Sequence, residues 1–183
     1  MLTLSIRDGF KTVFSFKFTV LSKYMLKLHN TLTRKTEEFV PIKEGKVGLY
    51  HCGPTVYNYA HIGNLRAYVF ADILRRTLAM NGLSVTQIIN VTDVGHLTSD
   101  ADSGEDKMTK ALIREGKELT KENMREIANT YFAYFKQDLE KLNTLPPTHF
   151  PFASDNITEN IELIEKLFTK KIAYTISDGV YFD

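Results

Sequence analysis

The stretch KVGLYHCGPTVYNYAHIGN, residues 46–64, decides how the chain folds. It opens with a short, mostly apolar run from Lys46 to Cys52, and Gly53 and Pro54 close that run. A run of this kind that ends in a Gly-Pro turn is typical of a buried strand. The stretch therefore predicts a strand whose carboxyl end leads directly into a tight turn.

A helix and a second strand are predicted next. Residues 64–80 repeat apolar side chains at helical spacing, and Asn81-Gly82 supplies the stop signal. The spaced residues are Phe70, Ile73, Leu74, Thr77 and Leu78. Residues 84–91, SVTQIINV, form a β-rich run. Strand, helix and strand within about 45 residues indicate the βαβ unit of a parallel sheet, and hence an α/β fold.

The remaining pattern predicts two helices and a hairpin. Thr120 opens a long amphipathic helix, Pro146-Pro147 ends that element, and Asp155 or Asn156 caps a further helix. The first helix carries a core stripe of Met124, Ile127, Ala128, Tyr131, Phe132, Phe135, Leu139 and Leu142. The second carries Ile157, Ile161, Ile164, Leu167 and Phe168. Residues 173–182 form the hairpin, with Asp178-Gly179 as its turn.

Composition excludes several classes of protein. The 183 residues carry 23 Lys and Arg against 22 Asp and Glu, a net charge of +1, and 43% are hydrophobic. This is ordinary globular composition, which excludes a disordered tail or a low-complexity chain. The near-neutral net charge provides no evidence for nucleic-acid binding. The single cysteine, Cys52, cannot form a disulfide within the chain. Because no apolar run is long enough for a membrane span, we expect a cytoplasmic protein without membrane partners.

The first 24 residues form a basic leader with one acidic residue, Asp8. Residues 13–20, VFSFKFTV, alternate like a half-buried strand, and neither a transit peptide nor a secretory signal is well formed. The coherent domain pattern begins at Leu26, so Met25 is an alternative start. We therefore divide the chain into a leader at residues 1–24 and a domain at residues 25–183.

Candidate site residues cluster where the first predicted strand ends and the first helix begins. In open α/β sheets ligands bind at this edge, and a helix amino terminus favours an anion such as phosphate. Each residue has a simpler alternative by itself, since His61 can be a helix cap and Cys52 a small core residue. Neither a Walker motif nor a Gly-x-Gly-x-x-Gly motif is present.

The order of motifs resembles the amino-terminal part of cysteinyl-tRNA synthetases over residues 25–183. The resemblance rests on LHNTLTRK at 28–35 with EEF at 37–39, CGPTVY at 52–57, HIGN at 61–64 and NVTDV at 90–94. It implies a Rossmann-like parallel sheet, the class I aminoacyl-tRNA synthetase catalytic domain, truncated in this chain.

The resemblance also implies roles for individual residues. His61 and Asn64 match the catalytic class I signature, with Asn64 where the family has a second histidine. The ATP-binding residues would be Pro54, Thr55, His61, Ile62, Gly63 and Asn64. The substrate-binding residues would be Gly53, Thr55, Tyr57 and Thr92, and Cys52 would be the first zinc ligand. The implied partners are ATP with Mg²⁺, L-cysteine, tRNA(Cys) and Zn²⁺, which binds a thiolate well and a hydroxyl poorly.

Two segments depart from the family's pattern. The zinc ligands that the family takes from later segments have no counterpart here, since the chain has no second cysteine. Lys107-Met108-Thr109-Lys110 looks like the family's mobile lysine loop but lies too early, and we predict the first turn of a helix with Lys110 and Arg114 solvated. The acidic stretch before it, Asp93–Asp106, is predicted to be an unstructured polar lid rather than a metal site.

The function expected from the resemblance is that of a cysteine–tRNA ligase. The enzyme would activate cysteine to cysteinyl-adenylate with ATP and transfer it to tRNA(Cys). Because the chain stops at Asp183 without a closing segment, we expect an amino-terminal piece that binds ATP weakly and does not aminoacylate tRNA. Two alternatives remain: the related cysteine ligase of mycothiol synthesis, and a non-catalytic nucleotide-binding fragment.

Overall fold

The computed structural model describes residues 26–94, 107–177 and 179–182. The chain divides into two units, residues 1–40 and 41–183. Among the described residues, no helix is long and apolar enough to cross a membrane. The predicted leader, its strand at 13–20 and most of the acidic stretch lie outside the described residues, so the boundary at residue 24 stays a prediction.

The described part of the first unit is an antiparallel hairpin. Strand β1 (Lys27–Asn30) pairs with β2 (Lys35–Glu38), with Leu28 opposite Glu37. Asn30 Nδ2 donates to Glu37 Oε1 at 2.6 Å, and Arg34 adopts a φ of 56° before β2. The sequence pattern gave no expectation of this hairpin.

The predicted βαβ unit is confirmed in the second unit. Strand β3 (Lys46–His51) runs into α1 (Ile62–Met80), and β4 (Ser84–Ile89) then pairs parallel to β3, from Lys46 opposite Ser84 to His51 opposite Ile89. The helix ends at the predicted signal, because Asn81 is the C-cap and Gly82 takes a φ of 80° that favours glycine.

A third extended segment lies against the other edge of β4. Thr148 N donates to Gln87 O at 2.8 Å, Ile89 N to His149 O at 3.2 Å, and Val91 N to Pro151 O at 2.7 Å. The bridges Ile88–His149 and Val91–Phe152 are parallel. Strand β4 therefore lies between two parallel neighbours. The prolines around this segment hide its extended character in the sequence, because proline lowers the expectation of a strand.

The other elements follow along the chain. They are α2 (Lys107–Arg114), α3 (Lys121–Lys141), a short 3₁₀ turn (Ala153–Asn156), α4 (Ile157–Thr169), and the hairpin of β5 (Ala173–Ile176) with β6 (Gly179–Phe182). Thr120 caps α3 as predicted, since its side chain accepts from Asn123 N at 3.1 Å. Most of the predicted stripe of α3 forms the core with Val56, Val91, Met108, Leu112 and Phe152, whereas Met124 is partly buried against it and Leu142 is exposed.

The apolar set predicted on α1 is buried only in part, since Leu78 is buried and Leu74 and Thr77 are half-buried. Phe70 and Ile73 are 69% and 57% exposed, while Tyr68, Ala71, Asp72 and Leu78 are buried. The predicted residues and the buried residues both repeat with helical spacing, so periodicity alone does not show which of them the core receives. The buried carboxylate of Asp72 is stabilised by Arg76 Nε at 2.6 Å and by the backbone N–H of Leu145 at 2.8 Å.

Two details near the carboxyl end also differ. Asn156 occupies the N-cap position of α4 but makes no side-chain cap, because its Nδ2 donates back to Phe152 O at 2.7 Å. Ile176 pairs with Gly179, so the two linking residues of the hairpin are at 177 and 178 rather than Asp178-Gly179. Asp178 itself lies outside the described residues.

Candidate active site

A cavity of about 370 Å³ opens where β3 ends and α1 begins. The predicted site residues in its wall are Gly53, Pro54, Thr55, Tyr57, His61 and Asn64. Tyr68, Lys107, Tyr131 and Phe135 contribute further lining from three helices. Four predicted residues do not line the cavity: Cys52, Ile62 and Gly63 are neighbours of lining residues in sequence, and Thr92 is bridged to the lining residue Thr55. The structure thus brings together most of the candidate nucleotide and substrate residues.

His61 and Asn64 form a reciprocal cap at the start of α1. His61 Nδ1 accepts the backbone N–H groups of Gly63 at 3.1 Å and Asn64 at 3.4 Å, and Asn64 Oδ1 accepts the His61 N–H at 3.1 Å. A capping box of this kind satisfies amide groups that the first helical turn leaves without partners. His61 is therefore both a helix cap and a cavity residue.

The cap fixes which atoms this pair offers to a ligand. Because Nδ1 of His61 accepts, the hydrogen of the neutral ring lies on Nε2. Asn64 uses Oδ1 in the cap, which leaves Nδ2 as the donor side of its amide. The amides of Gly63 and Asn64 already donate to His61, so the donors available here are side-chain N–H groups rather than those two backbone amides.

Gly63 keeps the cap compact. A Cβ atom at Gly63 would lie 3.0 Å from His61 Cε1 and 3.1 Å from Nδ1. These contacts are tighter than ordinary packing, so a side chain here would displace the imidazole by a few tenths of an ångström from the amides that donate to it. Glycine at position 63 thus favours the His61 geometry.

Gly53 permits a close approach between the ends of the two paired strands. A Cβ atom at Gly53 would lie 1.5 Å from the carbonyl oxygen of Asn90. No rotamer can relieve an overlap between a Cβ atom and a backbone carbonyl. The turn after Cys52 therefore requires glycine for a structural reason, whatever ligand it meets.

Asn90 connects this turn to Thr92, and sequence reasoning did not single it out as a site residue. Its Oδ1 accepts from Gly53 N at 3.0 Å and from the Tyr50 hydroxyl at 3.1 Å, while Nδ2 donates to Thr92 Oγ1 at 3.1 Å. Thr92 in turn donates its N–H to Pro54 O at 2.9 Å. The only earlier signal was the place of Asn90 in the NVTDV motif.

Cys52 is exposed and lies beside a half-buried histidine and a buried tyrosine. His51 Nδ1 donates to Cys52 O at 3.1 Å, and Gln87 Nε2 donates to His51 Nε2 at 3.0 Å. Burial lowers the pKa of His51 below its ordinary value of 6.5. Burial, and to a smaller extent the electrostatic effect of the nearby Cys52, raises the pKa of Tyr68 above its ordinary value of 10.0, so this hydroxyl stays protonated.

The described residues do not fit a zinc site by themselves. No group of three or more His, Cys, Asp or Glu side chains in this part of the chain is placed to hold a metal ion. A tetrahedral zinc site needs more ligands than the Cys52 sulfur, and both ring nitrogens of His51 are already engaged in hydrogen bonds.

Helix α2 supplies the charged part of the cavity wall. Lys107 begins the helix as predicted, and its Nζ lies 5.5 Å from the ring centre of Tyr57. Arg114 is exposed as predicted, and its Nη2 also donates to Tyr57 O and to the Tyr131 hydroxyl, each at 2.8 Å. Of the described residues that line the cavity, Lys107 alone is a lysine, arginine or carboxylate, so the fixed charge here is positive.

A buried carboxylate anchors the chain just beyond Thr92. Asp93, which is 3% exposed, accepts from Ser154 N at 2.9 Å and from the Ser154 hydroxyl at 2.5 Å. Arg125 Nη1 lies 3.4 Å from the same carboxylate and 2.9 Å from Asp155 Oδ1. These contacts hold the chain that follows β4 against the 3₁₀ turn.

A parallel α/β sheet with a cavity at its carboxyl edge, walled by a His-Ile-Gly-Asn helix start, defines a class I tRNA synthetase catalytic domain. The family model for the tRNA synthetases class I (C) catalytic domain matches residues 38–183, and the chain belongs to this family. The fold class expected from the sequence is confirmed.

Curated relatives share about half of the aligned residues. Cysteine–tRNA ligase of Treponema denticola is 52% identical over 158 residues, 86% of this chain and 31% of the relative. Cysteine–tRNA ligase 1 of Burkholderia lata is 51% identical over 158 residues, 86% of this chain and 33% of the relative. The chain thus spans about a third of the length of these relatives.

A solved structure gives the same fold at low identity. It comes from Campylobacter jejuni and is described as an arginyl tRNA synthetase, with a TM-score of 0.53 and 17% identity. The match covers 78% of this chain and 38% of that chain. At this identity the match supports the fold alone.

Proposed function

We propose that this chain carries the amino-terminal part of the active site of a cysteine–tRNA ligase. The reaction would join cysteine to ATP as cysteinyl-adenylate, with release of pyrophosphate, and then pass the cysteinyl group to tRNA(Cys). The observation that carries the proposal is the cavity in which the Gly53–Tyr57 turn meets His61 and Asn64. The names of the relatives support the choice of cysteine and tRNA(Cys) as substrates.

The proposed ATP site uses the start of α1. His61 Nε2 and Asn64 Nδ2 would donate to phosphate oxygens of the magnesium complex of ATP, and Pro54, Thr55, Ile62 and Gly63 would complete the site. The positive end of α1 and the ammonium group of Lys107 add favourable potential for an anion. A donor that is held by a helix cap loses little freedom on binding, which suits it to stabilise charge at phosphorus.

The first step needs no protein base. The cysteine carboxylate is already ionised at neutral pH, so it can attack the α-phosphorus directly while pyrophosphate leaves. The protein would then contribute positioning and stabilisation of the developing charge. Gly53, Thr55, Tyr57 and Thr92 are proposed to surround the amino acid.

Cys52 remains our candidate for one zinc ligand. Its exposed sulfur suits that role, but the other ligands would have to come from outside the described residues. We therefore derive no catalytic step through zinc. A cytoplasmic location is proposed with the function, because tRNA charging serves protein synthesis there.

The test is ATP–pyrophosphate exchange by the protein encoded in the complete reading frame. We expect exchange that depends on cysteine and is not supported by serine, and AMP release that depends on tRNA rather than on an aminosugar acceptor. Exchange without cysteine dependence, or AMP release with the aminosugar alone, would overturn the proposal.

Asn64→Asp is the matched variant for this test. It keeps an Oδ atom to accept the His61 N–H, and a carboxylate suits a helix amino terminus, so the cap should survive. It replaces the Nδ2 donor with an acceptor that repels phosphate. We expect exchange to fall by at least about tenfold with no loss of thermal stability.

A further inference from the structure

The side-chain amide of Asn90 has a determined orientation. The Gly53 N–H can only donate, so the atom that lies 3.0 Å from it must be the amide oxygen. The Tyr50 hydroxyl donates to the same oxygen at 3.1 Å. Consequently the amide nitrogen faces Thr92 Oγ1 at 3.1 Å.

This orientation also determines the role of the Thr92 hydroxyl. Since Nδ2 carries only donors, Oγ1 of Thr92 must act as the acceptor in their contact. Within the part of the chain that the structure describes, no acceptor takes the Thr92 hydroxyl hydrogen. That hydrogen is therefore the polar feature that Thr92 can present to a ligand.

We propose that Asn90 is a positioning residue that makes Thr92 a hydrogen-bond donor to the amino-acid substrate. This inference rests on the proposed function, which places Thr92 beside the amino acid. The ionised carboxylate is the strongest acceptor of an amino acid, and it is the chemical group to which the donor is matched. The same amide accepts from the Gly53 N–H in the turn after Cys52, so one side chain positions both the turn and the Thr92 hydroxyl.

Asn90→Asp separates the two tasks of the amide. One carboxylate oxygen can still accept from Gly53 N and the Tyr50 hydroxyl, which keeps the turn in place. The other oxygen can only accept, so the Thr92 hydroxyl must turn and donate to it. The variant thus reverses the polarity of Thr92 with almost no change of shape.

The experiment is steady-state ATP–pyrophosphate exchange by the complete gene product. For Asn90→Asp we expect the KM for cysteine to rise by about tenfold or more, with the KM for ATP within about twofold of wild type. Thr92→Val should have the same effect. The double variant should be no worse than Thr92→Val, because Asn90 acts through the hydroxyl that this variant lacks.

Tyr50→Phe is the matched control. It removes the other hydrogen bond to Asn90 Oδ1 but leaves Thr92 untouched, so the KM for cysteine should stay within about twofold of wild type. If Asn90→Asp does not fold by circular dichroism, Asn90→Ala with and without Thr92→Val still tests whether Asn90 acts through the Thr92 hydroxyl, although alanine also removes the contact with Gly53.

Each result has a separate meaning. Wild-type protein without cysteine-dependent exchange would overturn the proposed function. Wild-type exchange combined with an unchanged KM for cysteine in Asn90→Asp would overturn this inference alone. Additive losses in the double variant, or equal rises in both KM values, would also overturn it, because they would indicate a general structural role.

Discussion

His61 Nδ1 accepts the backbone N–H of Gly63 at 3.1 Å, so the imidazole that lines the cavity is also the cap of α1. The two roles use different nitrogens. The cap occupies Nδ1, and Nε2 carries the hydrogen that a phosphate oxygen would accept. Substitutions can therefore remove one role and leave the other.

His61→Ser and His61→Ala should have different effects on stability and the same effect on ligand binding. Serine is a favourable N-cap residue, so we expect the free energy of unfolding of His61→Ser to be within about 0.5 kcal/mol of wild type. The His61→Ala variant should lose about 1 kcal/mol. Both variants lack the Nε2 donor and should bind ATP about tenfold more weakly or worse. Urea unfolding and calorimetric titration with ATP measure the two quantities. Wild-type ATP affinity in His61→Ser would contradict the prediction.

Gly53→Ala should be among the most destabilising single substitutions in the chain. Its Cβ atom would overlap the carbonyl oxygen of Asn90 at 1.5 Å, so the ends of β3 and β4 would have to separate. We expect a loss of about 3 kcal/mol or more in the free energy of unfolding. Gly48→Ala lies within β3, where its Cβ atom would meet nothing within 4 Å, and it is the control, with a change below about 1 kcal/mol. Equal effects in urea unfolding would disprove the close approach.

The βαβ unit was predictable because its signals are local. A strand closed by Gly53-Pro54, a helix closed by Asn81-Gly82 and a β-rich run each follow from short-range rules. The buried face of α1 was not predictable in this way. Phe70 and Tyr68 are both large aromatic residues of α1, and only tertiary contacts decide which of them the core receives.

The site was predicted as a set of residues but not as a set of hydrogen bonds. The motifs placed His61, Asn64 and the Gly53–Tyr57 turn at one edge, and the cavity brings them together. The contact of Asn90 with Gly53 spans 37 positions of the chain, and the contact of Lys107 with Tyr57 spans 50. No local pattern encodes contacts between residues so far apart in the sequence. Sequence reasoning therefore missed the role of Asn90 and assigned Lys107 only to the first turn of a helix.

Asp93→Asn should destabilise the protein, because this buried carboxylate is held by two half-buried partners, Ser154 and Arg125. The carboxylate is 3% exposed and accepts from Ser154 twice and from Arg125. An amide nitrogen facing Arg125 or the Ser154 N–H would leave donors opposed, which we expect to cost about 2–4 kcal/mol in urea unfolding. Asp155→Asn is the control, because that carboxylate is 57% exposed and its ion pair with Arg125 should contribute at most about 1 kcal/mol. A larger loss in Asp155→Asn than in Asp93→Asn would reverse the assignment.

Lys107→Met should weaken anion binding in the cavity without weakening the fold. Its ammonium group supplies the fixed positive charge of the lining, and methionine keeps most of the aliphatic packing against Tyr57. We expect the affinity for ATP to fall about fivefold, as for the loss of roughly 1 kcal/mol from a partly exposed charge. Lys121→Met is the matched control, because Lys121 also begins a helix but does not line the cavity. The ATP affinity from calorimetric titration should change less between low and high salt for Lys107→Met than for wild type, since added salt screens a charge that the variant no longer has. Equal ATP affinities for the two lysine variants would show that Lys107 does not act on the bound nucleotide.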